Sequence, residues 1–336
     1  MGKTKTRKNK KLLRLSIVIL LFIIFVVIVL FYVEYLLPGK FSFLKGIFDE
    51  TPVVSEIPDY IDAEHALRIY FIDVGQGDSV LLRFPCGTDF LIDAGSGTNA
   101  GATRISSYLA ALDATGLDDL EYMIATHPDS DHINMLDDVL ETYEVHNIYY
   151  NDYMHTSATF EKFLEAAETE TYGENEQAAL TLFDEDGDQW NILGVSGECY
   201  SVKIYAPGYG RFENNNAMSP FIIAEYGGRK VMLTGDAEAC SEQWFLQTFG
   251  QNSLDCDILK VAHHGSDTSS SAEFLNFVTC EYAVISVGEN NAYGHPDDET
   301  LTKLYERNYS VYRTDLDGTI TCYIDREGDV AFVTEK

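Results

Sequence analysis

Basic residues are scarce in this sequence beyond its first fourteen positions. The 336 residues include 23 Lys and Arg against 54 Asp and Glu, which gives a net charge of −31. Seven of the basic residues lie within residues 1–14, which contain no acid, so the remainder carries 16 basic against 54 acidic residues. A body this acidic repels polyanions at long range. The charge therefore excludes a generic nucleic-acid-binding module, and we expect no stable nucleic-acid complex.

The sequence also lacks the cysteine spacing of a structural zinc ribbon. Its six cysteines are widely separated, and none belongs to a CxxC pair. A chain of this length can bury a sizeable core without disulfides, and cysteine pairing cannot be deduced from sequence. The composition, with 46% hydrophobic and 23% charged residues, is close to the globular average and excludes wholesale disorder.

Charged residues are absent from positions 15–33, where Ile, Leu, Val and Phe dominate. A helix of this length nearly spans a hydrocarbon core of about 30 Å. A buried core helix is rarely apolar all round over such a length, and no A-x-A cleavage pattern follows. The sequence therefore predicts an uncleaved transmembrane signal anchor at 15–37 that contacts membrane lipid. Because the basic cluster precedes it, we expect a cytoplasmic N-terminus and an extracytoplasmic body.

The remaining residues divide into a linker and one large body. The predicted regions are a basic N-terminus at 1–14, the anchor at 15–37, a linker at 38–66 and one large domain at 67–336. The body opens with two β-rich runs around a glycine turn that contains Gln76 and Asp78, and we interpret it as a hairpin. Residues 151–198 are predicted to be helical and polar. The alternation elsewhere predicts a mostly β core covered by helices on both outer faces, an α/β class.

Two histidines and two aspartates lie within six residues in the middle of the body. His127, Asp129, Asp131 and His132 follow a predicted strand and open a helix, so their side chains can face one point. A polar loop with a helix cap is the alternative interpretation. Chance seldom places this combination at one turn, and both residue types are metal ligands. The string therefore predicts a metal site.

Further candidate ligands end the apolar strands downstream. Asp236 follows one strand, His263 and His264 follow the next, and His295 lies in the loop after another. Ligands gather where strand ends meet at one edge of a sheet. Together with the first string, these residues form a constellation of imidazoles and carboxylates.

These motifs resemble those of the metallo-β-lactamase superfamily, and more closely those of the hydrolase domain of ComEC-type competence proteins and their stand-alone relatives. The segments 71–79, 91–95 and 293–296 resemble that subgroup as well. The resemblance spans about 68–335 and implies a four-layer αββα sandwich with a two-metal site between its sheets. The channel-forming membrane domain of competence proteins has no counterpart in the sequence, so we do not expect a DNA-uptake pore.

The resemblance also implies a ligand set. His127 and Asp129 would bind the first metal, and Asp236 would bridge the two metals. Asp131, His132 and one of the pair His263 and His264 would bind the second, with His264 favoured as the ligand and His263 as its neighbour in the substrate pocket. Asp93 matches a residue that supports the ligand loop, or it is an ordinary turn residue at a strand end.

Two departures from the superfamily pattern affect the first metal. Asp129 stands where the superfamily has its second histidine, and the histidine expected in mid-chain has no clear counterpart. The nearest candidates are Asn214, Asn215 and Asn216. We therefore expect two divalent ions, zinc or manganese, with an oxygen-rich first site that holds its ion weakly. A one-metal enzyme is the alternative.

The implied chemistry is hydrolysis of a phosphodiester or another small anionic substrate by a metal-bridged hydroxide. Asp131, His263 and His295 are the catalytic candidates, and Ser266 is a candidate for substrate binding or support. A structural role for His295 is about equally favoured. Two alternatives remain: an acyl hydrolase acting on a lactone or β-lactam, and a non-catalytic binding module on the same fold.

Overall fold

Two large sheets account for most of the regular structure. The computed structural model describes residues 56–97, 102–151, 157–184, 189–193, 200–208, 210–250 and 255–336. These residues belong to one compact unit, Thr51–Lys336. The predicted anchor at 15–37 and the basic segment before it lie outside the described residues. Within the described part of the chain, no helix is both long enough and apolar enough to span a bilayer.

The first sheet has eight strands in the order β17-β16-β1-β2-β3-β4-β5-β8. Its strands are β1 (Leu67–Phe71), β2 (Val80–Arg83), β3 (Asp89–Ile92), β4 (Leu120–Ala125), β5 (Val145–Tyr150), β8 (Ala179–Leu182), β16 (Ile320–Ile324) and β17 (Val330–Thr334). The half of the sheet from β17 to β3 is antiparallel. The half from β3 to β8 is parallel. The carboxyl ends of β3 and β4 therefore lie at the same edge.

The second sheet has seven strands in the order β15-β14-β13-β12-β11-β10-β9. They are β9 (Gln189–Leu193), β10 (Tyr200–Tyr205), β11 (Phe221–Tyr226), β12 (Arg229–Leu233), β13 (Ile258–Lys260), β14 (Tyr282–Ile285) and β15 (Ser310–Arg313). Strands β9 to β12 are antiparallel and β12 to β15 are parallel. A separate two-stranded ribbon consists of β6 (Thr171–Tyr172) and β7 (Glu176–Gln177).

Helices follow many of the strands. The α-helices are α1 (Ala102–Ala114), α2 (Ser130–Ile133), α3 (Leu136–Leu140), α4 (Ala158–Thr169), α5 (Ala239–Phe249), α6 (Ala272–Leu275), α7 (Asp298–Glu306) and α8 (Thr314–Asp317). Short 3-10 helices occupy Ala63–His65, Asn216–Met218 and Ala262–Gly265. Ser157 caps α4 and Ser271 caps α6, each accepting a hydrogen bond from the backbone N–H three residues on.

Three apolar cores separate four layers. Alternate residues of β1 pack against residues of β10 and β11 in a central core between the sheets. Tyr312 of β15 stacks on Phe332 of β17 across this core, with ring centroids 4.3 Å apart. A second core joins the first sheet to α1, α3 and α4, and a third joins the second sheet to α5, α6 and α7. The predicted four-layer αββα sandwich is confirmed.

Several local predictions were wrong in detail. Strands β1 and β2 pair as expected, but residues 72–79 between them form a long loop instead of a tight glycine turn. The single helix predicted to open at residues 127–132 is divided into α2 and α3. The predicted helical region at 151–198 contains α4 and also β6 to β9. Pairing with a neighbouring strand stabilises such short strands, and hydrophobic periodicity does not report it.

The five cysteines in the described residues are free thiols. Cys256, Cys280 and Cys322 are buried, and Cys86 and Cys240 are exposed. Burial raises the pKa of the Cys280 thiol to about 12. The three buried cysteines therefore act as small apolar side chains in the cores.

Candidate metal centre

The loops that leave β3, β4, β12 and β13 meet at one edge of the sandwich. Asp93 follows β3, and residues 127–132 follow β4 in the first sheet. Asp236 follows β12, and residues 263–264 follow β13 in the second sheet. Because each pair of strands is parallel, its loops emerge on the same side, and the two sheets bring both pairs together.

One group of ligand atoms joins the two sheets. His132 Nε2 lies 3.2 Å from Asp236 Oδ1, and His264 Nε2 lies 3.6 Å from Asp236 Oδ2. Asp131 Oδ2 is 3.4 Å from His264 Nε2. Ligand atoms of Asp131, His132 and His264 all lie within 4.8 Å of one another. This group corresponds to the predicted second metal site.

A second group lies beside it and shares Asp236. Ligand atoms of His127, His132 and Asp236 also lie within 4.8 Å of one another. His127 Nε2 is 4.0 Å from Asp236 Oδ2 and 3.9 Å from Asp129 Oδ2. Asp129 is partly exposed, and its Oδ1 accepts a hydrogen bond of 2.9 Å from Asn215 Nδ2. Asp129 is thus the more loosely placed member of the first site.

The donor set fits a divalent metal ion. The Nε2 atoms of His127, His132 and His264 are buried and make no hydrogen bond with any described residue. Buried polar atoms in proteins almost always have a partner. Three such nitrogens beside the carboxylates of Asp131 and Asp236 match the mixed N and O ligands that zinc and manganese accept.

Hydrogen bonds behind the imidazoles direct their Nε2 atoms into the site. His132 Nδ1 donates to Asp93 Oδ2 at 2.7 Å, and His264 Nδ1 donates to the Ser286 carbonyl at 2.9 Å. Asp93 is fully buried in a left-handed conformation (φ 58°) and also accepts from the Thr126 backbone and hydroxyl. It thus contacts the ligand loop from behind, as the resemblance implied.

The charges of the site favour a cation between the imidazoles. Burial alone would lower the pKa of His264, but the carboxylates of Asp236 and Asp78 raise it to about 10. Burial alone would also lower the pKa of His132, but the carboxylates of Asp236 and Asp93 raise it well above its usual value. The pKa of His127 is lowered by burial and by the neighbouring His132. The carboxylates therefore generate a field that attracts positive charge.

A cavity of about 170 Å³ opens above these groups. It is lined by Gln76, Asp129, Asp131, Asn216, Asp236, His263, His264, Tyr293 and His295. His127 and His132 lie beneath it and are almost completely buried. The small volume and polar lining suit a small, polar substrate.

His263 lies in the cavity wall and not among the close ligand groups. Its Nε2 is 3.1 Å from Asn216 Nδ2, and its Nδ1 is 3.1 Å from Thr268 Oγ1. Because the amide nitrogen donates, Nε2 accepts, and Nδ1 therefore carries the proton. This arrangement favours His264 as the candidate ligand and leaves His263 facing the cavity. Asn216 contacts His263 and does not replace the missing mid-chain histidine.

His295 and Ser266 take different positions. His295 lines the cavity, its Nδ1 donates to Asp297 Oδ2 at 2.9 Å, and its ring centroid is 5.8 Å from that of His263. Ser266 is buried, and its hydroxyl lies 3.0 Å from Thr268 Oγ1. Since Thr268 also contacts His263, Ser266 supports the His263 loop and does not line the cavity.

Sequence reasoning missed Ser219 and Lys260, and for Gln76 and Asp78 it favoured a plain hairpin turn over a turn that faces the site. Gln76 lines the cavity although it was assigned to a plain turn, and its Oε1 accepts from the Gly288 N–H at 3.1 Å. Asp78, assigned to the same turn, lies behind the metal ligands in contact with Lys260. Ser219 Oγ is 3.2 Å from His127 Nδ1. Lys260 could have been found from the sequence, because a lysine that ends an otherwise apolar strand indicates a buried charge with a partner.

Comparison with known proteins agrees with this geometry. Residues 72–208 match the family model described as the Metallo-beta-lactamase superfamily. ComE operon protein 3 of Bacillus subtilis (strain 168) is 30% identical over 270 residues, covering 75% of this chain and 32% of that protein. Competence protein ComA of Neisseria gonorrhoeae is 30% identical over 276 residues, covering 82% of this chain and 35% of that protein. The chain thus spans about a third of the length of these curated relatives.

Among solved structures, a metallo hydrolase from the hyperthermophilic archaeon Ignicoccus hospitalis is similar over 81% of this chain and 100% of its own. The sequence identity is 12% and the TM-score is 0.45.

Proposed function

The chain carries a metallo-beta-lactamase superfamily domain of the ComEC type, and we propose that this domain is a metal-dependent phosphodiesterase. The observation that carries the proposal is the position of Asp236, which belongs both to the group with His127 and His132 and to a group with His264. A carboxylate shared in this way suits two neighbouring ions.

The oxygen-rich ligand set supports phosphodiester cleavage over acyl hydrolysis. Asp129 and Asp131 contribute carboxylates beside the first and second groups. Divalent ions held there would supply Lewis acidity toward a phosphoryl oxygen and lower the pKa of water. They would also reverse the local negative charge, which an anionic substrate in this acidic protein requires.

Residues of the cavity wall complete the proposed reaction. Asp297 occupies His295 Nδ1, so Nε2 is the nitrogen available to a substrate. We assign this nitrogen, in the doubly protonated imidazolium, to protonation of the leaving oxygen, which would leave a neutral imidazole with its remaining proton on Nδ1. Asn216 and Thr268 occupy both ring nitrogens of His263, so its ring would shape the cavity wall beside the substrate. The cavity of about 170 Å³ restricts the substrate to a small phosphodiester or to the end of a longer one.

The proposed location is the outer face of the cell membrane. It rests on the uncharged run at 15–33 and the basic residues before it. The anchor would keep the hydrolase domain beside the membrane, where it meets exported or external substrates.

The test combines metal analysis with parallel assays of a phosphodiester and a lactone. The full chain is assayed with bis(p-nitrophenyl) phosphate and a simple lactone in Mn²⁺ or Zn²⁺, beside the variants Asp131→Asn and Glu141→Gln. We expect phosphodiester hydrolysis that falls by about 100-fold or more in Asp131→Asn, with loss of metal by elemental mass spectrometry. Glu141 is exposed outside the site, so Glu141→Gln serves as the matched control.

Each other outcome rejects the proposal in a different way. Hydrolysis of the lactone alone would identify an acyl hydrolase. Bound metal without hydrolysis of either substrate would favour a binding module. Phosphodiester hydrolysis that survives both Asp131→Asn and metal removal would exclude this site as its source.

A further inference from the structure

An ion pair between Asp78 and Lys260 lies directly behind the metal ligands. Lys260 ends β13, and Asp78 lies in the loop between β1 and β2. Lys260 Nζ contacts Asp78 Oδ2 and lies 3.3 Å from the Val261 carbonyl oxygen. The exposed fractions of the two residues are 1% and 2%. Lys260 is the one Lys or Arg among the buried residues that the structure describes.

Fold stability alone does not account for this pair. Removing two charges from water usually costs more free energy than their attraction returns. Apolar residues of similar volume at such positions often give a fold of equal or greater stability. The contacts of the pair indicate another role.

Those contacts lead to the metal ligands. Asp78 Oδ1 lies 3.4 Å from His264 Nδ1, and Asp78 Oδ2 lies 3.9 Å from His132 Nδ1. The Asp78 backbone N–H donates to the Asp131 carbonyl at 2.9 Å. Asp78 thus contacts all three residues of the group that corresponds to the second metal site: the rings of His132 and His264 and the backbone of Asp131.

The loop that carries Asp78 is packed too tightly to move independently of these ligands. Gly77 has φ 145°, and a Cβ there would lie 2.6 Å from the carbonyl oxygens of both Asp131 and Gly95. Gly95 N–H in turn donates to the Asp78 carbonyl at 3.0 Å. A shift of Asp78 therefore shifts the loop that carries Asp131 and His132.

We propose that the Asp78–Lys260 pair positions the ligands of the second metal and increases the affinity of that site for a divalent ion. Lys260 fixes Asp78, whose backbone N–H holds the Asp131 carbonyl. The Asp78 carboxylate packs behind the imidazoles of His132 and His264 and adds to the support that Asp93 and the Ser286 carbonyl give them. Because the pair is neutral as a unit, it orients the ligands without adding net charge to the site. The inference rests on the metal-binding part of the proposed function and is independent of the substrate.

The test separates metal affinity from fold stability. The full chain is compared with the double variant Asp78→Asn/Lys260→Met and with Lys260→Met alone. Mn²⁺ and Zn²⁺ affinities are measured by competition with a chromophoric chelator, and urea unfolding is followed on the metal-free proteins. We expect the double variant to bind both ions about 10- to 100-fold more weakly. Its urea midpoint should equal or exceed that of the wild type, whereas Lys260→Met should unfold earlier because it leaves a buried carboxylate unpaired.

The pair formed by Arg83 and Asp89 provides the matched control. It is largely buried in the first sheet, its closest atoms are 2.8 Å apart, and it lies outside the cavity. The metal affinity of the variant Arg83→Met/Asp89→Asn should stay within about two-fold of that of the wild type. This change is well below the 10- to 100-fold loss expected for the Asp78 and Lys260 double variant.

Three results would overturn the inference. The first is a double variant that binds ions as tightly as the wild type. The second is a metal-free double variant that unfolds as early as Lys260→Met, which would give the pair a purely structural role. The third is a wild type that binds neither ion. A wild type that binds ions but hydrolyses no phosphodiester would reject the proposed function and leave this comparison valid.

Discussion

Contacts between single residues set the pKa values of the ionisable groups in the candidate site. Asp236 lies between His132 and His264, and its own pKa is held well below its usual value by these imidazoles, against the effect of burial. The same ion pairs raise the pKa of both imidazoles. In the absence of metal, protons therefore occupy the nitrogens that a metal requires.

Metal binding should accordingly release protons. The raised pKa values of His132 and His264 favour the protonated imidazoles in the metal-free protein, and a ligand nitrogen must lose its proton. We expect metal affinity to decrease as the pH falls. Calorimetric titration with Mn²⁺ in buffers of different ionisation enthalpy measures the release directly. A binding enthalpy that does not depend on the buffer would contradict the prediction.

Among the elements, the turn after β13 is the most strained part of the site. His263, His264 and Gly265 have φ values of 52°, 53° and 85°. Left-handed conformation costs a non-glycine residue roughly 1–2 kcal/mol. The hydrogen bonds from His263 N–H to Gly235 O and from His264 Nδ1 to Ser286 O hold the turn. The turn orients two adjacent histidines differently: the His264 ring lies beside Asp131 and Asp236, and the His263 ring lies in the cavity wall.

Substitution of Gly265 should disturb this turn and the metal site together. A Cβ at Gly265 would lie 2.5 Å from Pro296 Cβ, whereas a Cβ at Gly173, also at positive φ, meets no atom within 4 Å. We expect Gly265→Ala to lower the free energy of unfolding by about 2–4 kcal/mol and to weaken metal binding. Gly173→Ala should cost about 1 kcal/mol and leave metal binding unchanged. Urea unfolding and chelator competition measure both effects, and equal losses in the two variants would count against the contact.

Asp89, at the start of β3, should make stability depend on pH. Burial raises its pKa from 3.8 to about 6, although Arg83 lowers it. The folded protein therefore holds this proton more tightly than the unfolded chain. Its stabilising effect is complete below about pH 4 and is lost as the pH rises through 6.

The variant Asp89→Asn removes this titration. The stability of the wild type relative to Asp89→Asn should fall by about 1–3 kcal/mol between pH 4 and pH 7. Urea unfolding of both proteins at four pH values measures the difference. A difference that stays constant over this range would show that Asp89 ionises normally.

Across the chain, the net charge of −31 should govern how substrates arrive. An anionic phosphodiester approaches against the field of the body, and salt screens that repulsion over about 10 Å at 0.1 M. We expect kcat/KM for an anionic phosphodiester to rise about two- to five-fold between 20 and 300 mM NaCl. A neutral ester is the control, and a fall in kcat/KM with salt would indicate local cations that outweigh the acidic body.

The order of strands and helices was largely predictable, because strong apolar runs such as those of β1, β12 and β14 report burial directly. The loop between β1 and β2 was not. Its residues are held by contacts with distant loops, as where Gly77 meets the Asp131 carbonyl. Short edge strands such as β8 escaped prediction for the same reason, since their pairing partner is remote in sequence.

The amino-acid sequence by itself identified the candidate metal ligands, because histidines and aspartates at strand ends are chemically distinctive. Tertiary structure decided the geometry among them. It separated His263 from His264 through left-handed backbone angles, and it placed Asp129 at the exposed margin of the site. It also joined Asp78 to Lys260 across 182 positions. Such contacts depend on how two sheets pack, and no local pattern of residues encodes that packing.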